Sequence, residues 1–365
     1  MIKLQNVWKQ YDNITAVEDV SFEVPEGKLC VIIGPSGCGK STTLRLVNRM
    51  IEPDKGKIFV NSTNILNQDP VQLRRTIGYV IQNIGLFPHL NVEENISVVP
   101  KLLGWPKEKR LARAEELLDF IGLDSKIYAK KRVSQLSGGE AQRIGVARGL
   151  AADPPILLMD EPFGAVDPLN REVLQDDFLS IQKELKKTVL FVTHDLDEAI
   201  RLADIIILMK DGKLIQAASP DKLLSSPGNR FVRDFVGSDR ALKRLVRITA
   251  AEVMEKPDYC VLKNGAFTCE EKTRARYLWV TDENKKVLGW IDQKYIDNSI
   301  PLEEQYTQAE PDTISVRNDG SLREVLSRMM GQGVRSVPIV NKDRELIGQI
   351  GLEGLEDYLN AGETE

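Results

Sequence analysis

The apolar pattern along the chain begins with strands. Ile2-Lys3-Leu4 and the alternating run from Thr15 to Val24 read as short strands, closed by a turn at Pro25-Glu26-Gly27. Leu29 to Ile33 is a continuous β-branched run, the pattern of a strand buried on both faces. Gly56 to Val60 and Ile77 to Gln82 repeat the strand signal, separated by a capped short helix at Asp69 to Arg75. From Val92 to Gly149 the period turns helical; Lys107 to Gly122 puts Leu111, Ala114, Leu117, Leu118 and Ile121 on one face. Pro155 to Asp160 and Thr188 to Val192 return to apolar strands, with a helix between them reaching about Lys186. Ile205 to Met209 and Lys213 to Ile215 form a hairpin across Lys210-Asp211-Gly212. Strands that alternate with helices predict an α/β fold with a parallel sheet.

The ends of these strands carry the candidate chemistry. Leu29–Ile33 runs into Gly34-Pro35-Ser36-Gly37-Cys38-Gly39-Lys40-Ser41, and a helical pattern starts at Thr42. Strand, glycine-rich loop and helix together are the context of a phosphate-binding loop. Its backbone N–H groups point inward at a polyphosphate, Lys40 reaches the β- and γ-phosphates, and Ser41 holds Mg²⁺. Pro155–Asp160 ends in two adjacent carboxylates: Asp160 is placed to hold Mg²⁺, and Glu161 to orient or deprotonate a water. Gln82 is a polar residue at the end of a buried strand, either a ligand sensor or a turn residue. His194 follows Thr188–Val192 where it can reach a phosphate, although a solitary histidine is often structural. Ser137-Gly138-Gly139 precedes a helical run from Glu140 to Leu150, which is a second anion-ready helix start or simply a cap.

Composition narrows the class. The chain has 365 residues, 42% hydrophobic and 28% charged, enough for two or three soluble domains. The net charge of −5 argues against a general nucleic-acid role. No apolar run is long enough to span a bilayer, and the first residues enter a strand pattern rather than a signal peptide. Four scattered cysteines, Cys30, Cys38, Cys260 and Cys269, give neither metal spacing nor a disulfide framework, which predicts a reduced compartment.

Taken together these stretches resemble an ATP-binding-cassette (ABC) ATPase over roughly residues 1–237: a Walker A loop at Gly34–Ser41, a Q-loop at Gln82, a signature at Leu136–Glu140, Walker B at Ile156–Glu161, a D-loop ending at Asp167 and an H-loop at His194. The resemblance implies a RecA-like core, an antiparallel β-subdomain and a helical subdomain at about 88–150. It implies a head-to-tail homodimer, with ATP between one subunit's Walker motifs and the other's Ser137, Gly138 and Gly139. It also places Tyr11 on adenine and Thr42 beside the phosphates. Gln82 joins Ser41 and Asp160 around Mg²⁺ and, with its loop, couples the site to transmembrane permease subunits; Asp167 contributes to the nucleotide site. Glu161 and His194 become the catalytic pair. Glu140 stands where the signature usually ends in Gln, and Gly164-Ala165-Val166-Asp167 replaces Ser-Ala-Leu-Asp.

The last third reads as a linker at 238–247 followed by a repeat. Tyr277 to Ile291 parallels Ser336 to Ile350, each a strand, a polar turn and a second strand. A helix from Ser321 to Met330, with Leu322, Val325, Leu326 and Met329 on one face, precedes the second copy. This resembles tandem cystathionine-β-synthase (CBS) motifs of α+β type, a degenerate one at 248–300 and a clear one at 306–361. The usual ribose and phosphate ligands of such motifs fall on Gly351 and Gly354 in one copy, and on Asp292 and Tyr295 in the other.

With the loop Ile81–His89, the whole is closest to the ATPase subunits of quaternary-amine importers (glycine betaine, carnitine, choline). That implies a peripheral protein on the cytoplasmic face of the membrane, working indirectly with a solute-binding protein and regulated through ionic strength or cyclic di-AMP. The alternatives are an importer ATPase for another small solute such as an amino acid, and a non-transport ABC ATPase.

Overall fold

The structure is a computed structural model that describes residues 1–81, 85–164, 166, 168–263, 266–269, 276–297, 299–301 and 304–361. The chain divides into two compact units, one of Met1–Leu223 with Pro227–Val232, the other of Leu224–Ser226 with Arg233–Glu365.

In the first unit, β1 (Ile2–Tyr11), β2 (Ile14–Val24), β4 (Lys55–Val60) and β5 (Thr63–Asn64) form an antiparallel sheet in the order β2-β1-β4-β5. β1 is longer than its apolar pattern predicts, because it pairs with β2 on one edge and β4 on the other through bulges that absorb its polar middle. The second sheet follows the order β10-β9-β3-β8-β7-β6, built from β3 (Leu29–Ile33), β6 (Ile77–Val80), β7 (Ile156–Asp160), β8 (Thr188–Val192), β9 (Ile205–Lys210) and β10 (Lys213–Ala218). Five of its strands, β9, β3, β8, β7 and β6, run parallel, and β10 closes one edge antiparallel. β3, β7 and β8 are buried along their whole lengths, as their unbroken apolar runs require.

Helices α1 (Lys40–Val47) and α2 (Pro70–Arg75) precede a helical block. The long helical pattern divides into α3 (Val92–Ile96), α4 (Val98–Leu102), α5 (Lys107–Phe120), α6 (Ser125–Tyr128) and α7 (Gly138–Leu150). Gly104 and Gly122, both at positive φ, and Pro106 account for the breaks around α5. α8 (Pro168–Leu185) and α9 (Leu196–Leu202) connect the later strands. α10 (Pro220–Ser225) and α11 (Arg230–Val236) follow β10.

The second unit holds α12 (Arg240–Arg244), α13 (Ala250–Val253) and two strand pairs with matching registers. β13 (Tyr277–Thr281) meets β14 (Val287–Asp292) from Tyr277↔Asp292 to Thr281↔Val287, with a shift between Val280 and Thr281. β17 (Ser336–Val340) meets β18 (Leu346–Gly351) from Ser336↔Gly351 to Val340↔Leu346, with its shift at the same step, between Ile339 and Val340. Each pair has a parallel partner at its edge: β11 (Tyr259–Lys263) for the first and β16 (Val316–Arg317) for the second. In the second copy the crossover is α15 (Leu322–Gln332), capped by Ser321 and stopped by Gly333 at positive φ. In the first copy, β12 (Ala266–Cys269) folds back on β11 within that connection. β15 (Thr307–Gln308), α14 (Pro311–Ile314) and α16 (Leu352–Ala361) complete the unit.

The cysteines depart from expectation. Cys30 and Cys38 are free and buried, but Cys260 is disulfide-bonded. Residues far from any metal or framework spacing are brought together by the β11–β12 register, which sets Cys269 opposite Cys260.

Candidate nucleotide site

The site lies at the carboxyl ends of the parallel strands, where open α/β sheets bind ligands. The glycine-rich loop leaves β3, the paired acids end β7, and His194 follows β8. Pro35, Ser36 and Gly37 form an exposed crest, while Gly34, Cys38 and Lys40 are buried. Two glycines are obligatory. A Cβ on Gly34, at φ +148, would stand 2.1 Å from the Met209 carbonyl oxygen, and one on Gly39, at φ +100, would stand 2.2 Å from that of Ala16. The loop is thus wedged between β9 and β2. The Lys40 ammonium folds over it, donating to the Gly34 oxygen at 2.8 Å and the Pro35 oxygen at 3.1 Å. Burial raises the Cys38 thiol, which keeps it neutral beside Lys40.

Ser41 Oγ donates to Asp160 Oδ1 at 3.0 Å, joining the loop to β7. Burial raises the Asp160 carboxyl, against the lowering pull of that hydroxyl, and the neighbouring Glu161 raises it further. A hydroxyl and a carboxylate at this separation, close to a cationic lysine, form the hard-oxygen donor set that Mg²⁺ takes alongside phosphate oxygens. The residues present fit Mg²⁺–nucleotide.

Glu161 has a left-handed backbone, φ 44, which is uncommon for a residue with a side chain. Its N–H donates to the Val192 oxygen at 2.8 Å, and its carbonyl accepts from the Gly164 N–H at 3.1 Å. Those bonds enforce the turn and bring the carboxylate to His194, whose Nδ1 lies 3.2 Å from Glu161 Oε1. Tyr11 projects from the β1–β2 hairpin, 43% exposed, with Lys9 Nζ 5.5 Å from its ring centroid. Gln82 and Asp167 lie outside the described residues.

The second helix start is a full capping box. Ser137 Oγ accepts from the Glu140 N–H at 3.2 Å, and Glu140 Oε2 accepts from the Ser137 N–H at 2.7 Å. Tyr128 also donates to Glu140 Oε1 at 2.5 Å, and this bond, more than any other contact, lowers the Glu140 carboxyl. The unusual signature glutamate is therefore engaged structurally, while Ser137 and Gly138 remain exposed. Arg143 fastens α7, pairing with Asp177 at 2.8 Å and donating to the Ile121 oxygen at 2.9 Å. Sequence reasoning overlooked Tyr128, although the Ser137-x-x-Glu140 spacing signals the box itself.

It also overlooked Asn95. This fully buried side chain accepts from the Phe87 N–H at 2.7 Å and donates to the oxygens of Phe87 at 3.1 Å and Asn91 at 2.9 Å. Arg132 holds the His89 oxygen at 3.2 Å. The bracket displays Phe87 at the surface, its ring edge-on to His89 with centroids 5.9 Å apart. An asparagine inside a short helical run gives no sequence signal for such a role.

Strand-end acids, a phosphate loop and an exposed signature helix define an ABC cassette. The ABC transporter family matches residues 17–164, and the CBS domain family matches residues 309–360. A dimeric bacterial ABC transporter cassette superposes with a TM-score of 0.55 at 36% identity, covering 60% of this chain and 98% of that one. A dimeric ATP-binding cassette in a post-hydrolysis state with ADP and Pi gives 0.55 at 35% identity, again covering 60% and 98%. The chain belongs to the ABC transporter ATP-binding proteins, and it is an ATPase.

Within that class it groups with the ATPases of osmoprotectant import. It is 46% identical to the osmoprotectant import ATP-binding protein of Salmonella typhimurium, over 100% of this chain and 97% of the relative. It is 43% identical to the carnitine transport ATP-binding protein of Listeria monocytogenes, over 98% and 92%. To the glycine betaine/carnitine/choline transport ATP-binding protein of Bacillus subtilis it is 42% identical, over 98% and 96%.

Proposed function

We propose that this chain powers import of quaternary-amine compatible solutes, glycine betaine, carnitine or choline, by hydrolysing ATP at a site shared between two copies. The observation that carries the hydrolytic part is the convergence of Ser41 with Asp160 and of Glu161 with His194 on adjoining strand ends. The solute class rests on the relatives' names, which extend over the whole chain.

Bound Mg²⁺–ATP supplies the phosphoryl group and the metal charge that offsets its negative oxygens. Gly34 to Thr42 would wrap the phosphates, Lys40, now on its two carbonyls, would supply charge to phosphate oxygens, and Ser41, Asp160 and Gln82 would hold the metal. Tyr11 stacks on adenine, an assignment its exposed ring supports. Glu161 orients the attacking water and takes its proton, with His194 fixing the carboxylate and contacting the terminal phosphate. Exposed Ser137 and Gly138, with Gly139, complete the partner's site, and Asp167 lies at the seam. The dimeric solved cassettes support this pairing.

Among the described residues no helix is long and apolar enough to cross a membrane. Permease subunits supply the span, and this chain binds them peripherally on the cytoplasmic face through the Phe87 loop. A solute-binding protein acts upstream of the permease. We assign 1–237 to the cassette, 238–247 to a linker, and 248–300 and 306–361 to two CBS motifs that act as the regulatory input, through ionic strength or cyclic di-AMP. Asp292 is paired with Arg276 at 2.9 Å, and Gly351 and Gly354 carry no side chain to hydrogen-bond a ribose or phosphate.

The test is reconstitution with the permease in vesicles. Uptake of labelled glycine betaine, carnitine or choline that needs ATP and this subunit supports the reading; ATP turnover unlinked to any of these solutes refutes the solute class. Titration of the full chain with cyclic di-AMP decides the ligand: heat with a saturable isotherm supports it, and its absence leaves ionic-strength sensing or a purely dimerising role.

A further inference from the structure

A polar seam between α8 and α9 lies behind the hydrolytic pair and takes no part in the chemistry above. Arg171 on α8 donates through Nη2 to the Val166 oxygen at 3.1 Å, in the turn that follows Glu161. Its Nη1 lies 3.6 Å from Asp195 Oδ2, on the residue after His194. Asp195 in turn caps α9, accepting from the Asp197 N–H at 2.9 Å and the Glu198 N–H at 3.2 Å, while its own N–H donates to Thr193 Oγ1 at 3.0 Å. One helical turn along α8, Gln175 donates to Glu198 Oε1 at 3.0 Å, and both side chains are buried. Arg201 closes the far end, bonding Asp176 at 2.8 Å and standing 3.6 Å from Glu172.

We propose that this seam is a positioning frame for hydrolysis: Arg171 ties the turn after Glu161 to the segment after His194, and Glu198 controls how firmly it does so. The inference rests on Glu161 and His194 being the hydrolytic pair. Arg171 spans the two segments whose mutual distance sets the 3.2 Å Glu161–His194 contact, so loosening it lets either residue drift. Misplacement on the ångström scale costs about 100-fold in rate.

Glu198 gives the frame a proton-dependent element. Burial raises its carboxyl to about 7; the Thr193 hydroxyl and Gln175 amide pull the other way, nearby Asp195 adds to the rise, and Arg171 opposes it. Neutral Glu198 leaves Arg171 to Asp195 and Val166. Ionised Glu198 adds a second negative charge that attracts the same guanidinium through space; the guanidinium Nε is buried and makes no hydrogen bond among the described residues.

The experiment uses the full chain and follows ATP hydrolysis, nucleotide affinity and thermal unfolding. Arg171→Met is expected to lower kcat about tenfold or more, with KM and nucleotide Kd changed by less than about threefold. Arg171→Lys is expected to recover part of that loss, since charge reaches Asp195 without the fork. In the unsubstituted chain kcat is expected to fall from about pH 6 to about pH 8, and Glu198→Gln to flatten that fall relative to its own value at the acidic end. An unchanged kcat in both Arg171 variants, or a Glu198→Gln profile that superimposes on the original, overturns the proposal. If Arg171→Met does not fold, the lysine variant and the pH profile still decide. Hydrolysis that persists in Glu161→Gln refutes the underlying site reading; a normal Arg171→Met beside an inactive Glu161→Gln refutes only the frame.

Discussion

His194 Nδ1 sits 3.2 Å from Glu161 Oε1, joining residues from the ends of two neighbouring parallel strands. The contact depends on the left-handed backbone at Glu161, since an extended residue there would continue the strand and project its side chain from a face of the sheet. Glu161→Gln keeps the shape and the backbone bonds but removes the carboxylate proposed as the base. ATP binding is expected to survive, and phosphate release to fall by about two or more orders of magnitude. Parallel measurement of nucleotide Kd and turnover checks this, and near-normal turnover contradicts the assignment.

The Ser41–Asp160 hydrogen bond predicts a metal phenotype. Ser41→Ala and Asp160→Asn each remove one oxygen of the hard donor set. Both variants are expected to need higher Mg²⁺ for half-maximal hydrolysis, by about tenfold or more, since each lost charge-assisted contact is worth about 1.5–3 kcal/mol. A Mg²⁺ titration of ATPase rate reads this directly.

Glu140 links the signature helix to acid stability. Its carboxyl is lowered in the folded chain, chiefly by Tyr128 and then by the Ser137 N–H. A lowered folded value means the carboxylate contributes stability above its unfolded value, near 4.5, and loses it as pH falls through the folded value. Tyr128→Phe is therefore expected to unfold at a lower temperature than the parent at neutral pH. That gap closes as pH drops below the carboxylate range. Thermal melts across an acid pH series measure the difference.

In the second unit, Trp279 of the first repeat donates to Gln349 Oε1 of the second at 3.0 Å, and both residues are buried. Gln349 Nε2 also donates to Asp258 Oδ2 at 3.0 Å. Gln349→Leu strands the indole N–H in the interior, at an expected cost of about 1–3 kcal/mol to that unit. Chemical denaturation followed by tryptophan fluorescence tests it, with an unchanged midpoint as the contrary result.

Phe163 packs against Phe178 and Phe191, with centroids 6.0 and 5.9 Å away, directly behind Glu161. Phe163→Ala is expected to destabilise the first unit by about 3–5 kcal/mol. Phe163→Leu is expected to recover most of that while leaving ATP affinity intact, which thermal unfolding with and without nucleotide can verify.

Much of this molecule is local in origin. The β-branched run of Leu29–Ile33, the glycines that follow it and the acids ending Ile156–Asp160 each specify a conformation within a few residues. Sequence order alone therefore marks the glycine-rich loop, the strand-end carboxylates and His194 as candidates. The repeat in the last third was equally legible, because strand, turn and strand recur with the same apolar alternation.

Other features needed the chain to fold back on itself. Arg171 meets Val166 nearby, but it meets Asp195 only because α8 and α9 lie side by side. Asn95 becomes the bracket of the Phe87 loop, and Tyr128 the partner of Glu140, through contacts no periodicity encodes. Cys260 is disulfide-bonded, and only the hairpin register sets the Cys269 backbone opposite it. The physical reason is the range of the forces involved. Backbone sterics and apolar alternation act over a few residues and leave their mark in composition and spacing. Hydrogen bonds and ion pairs between elements act only at contact, so a polar side chain acquires its partner when the tertiary fold brings one within about 3 Å.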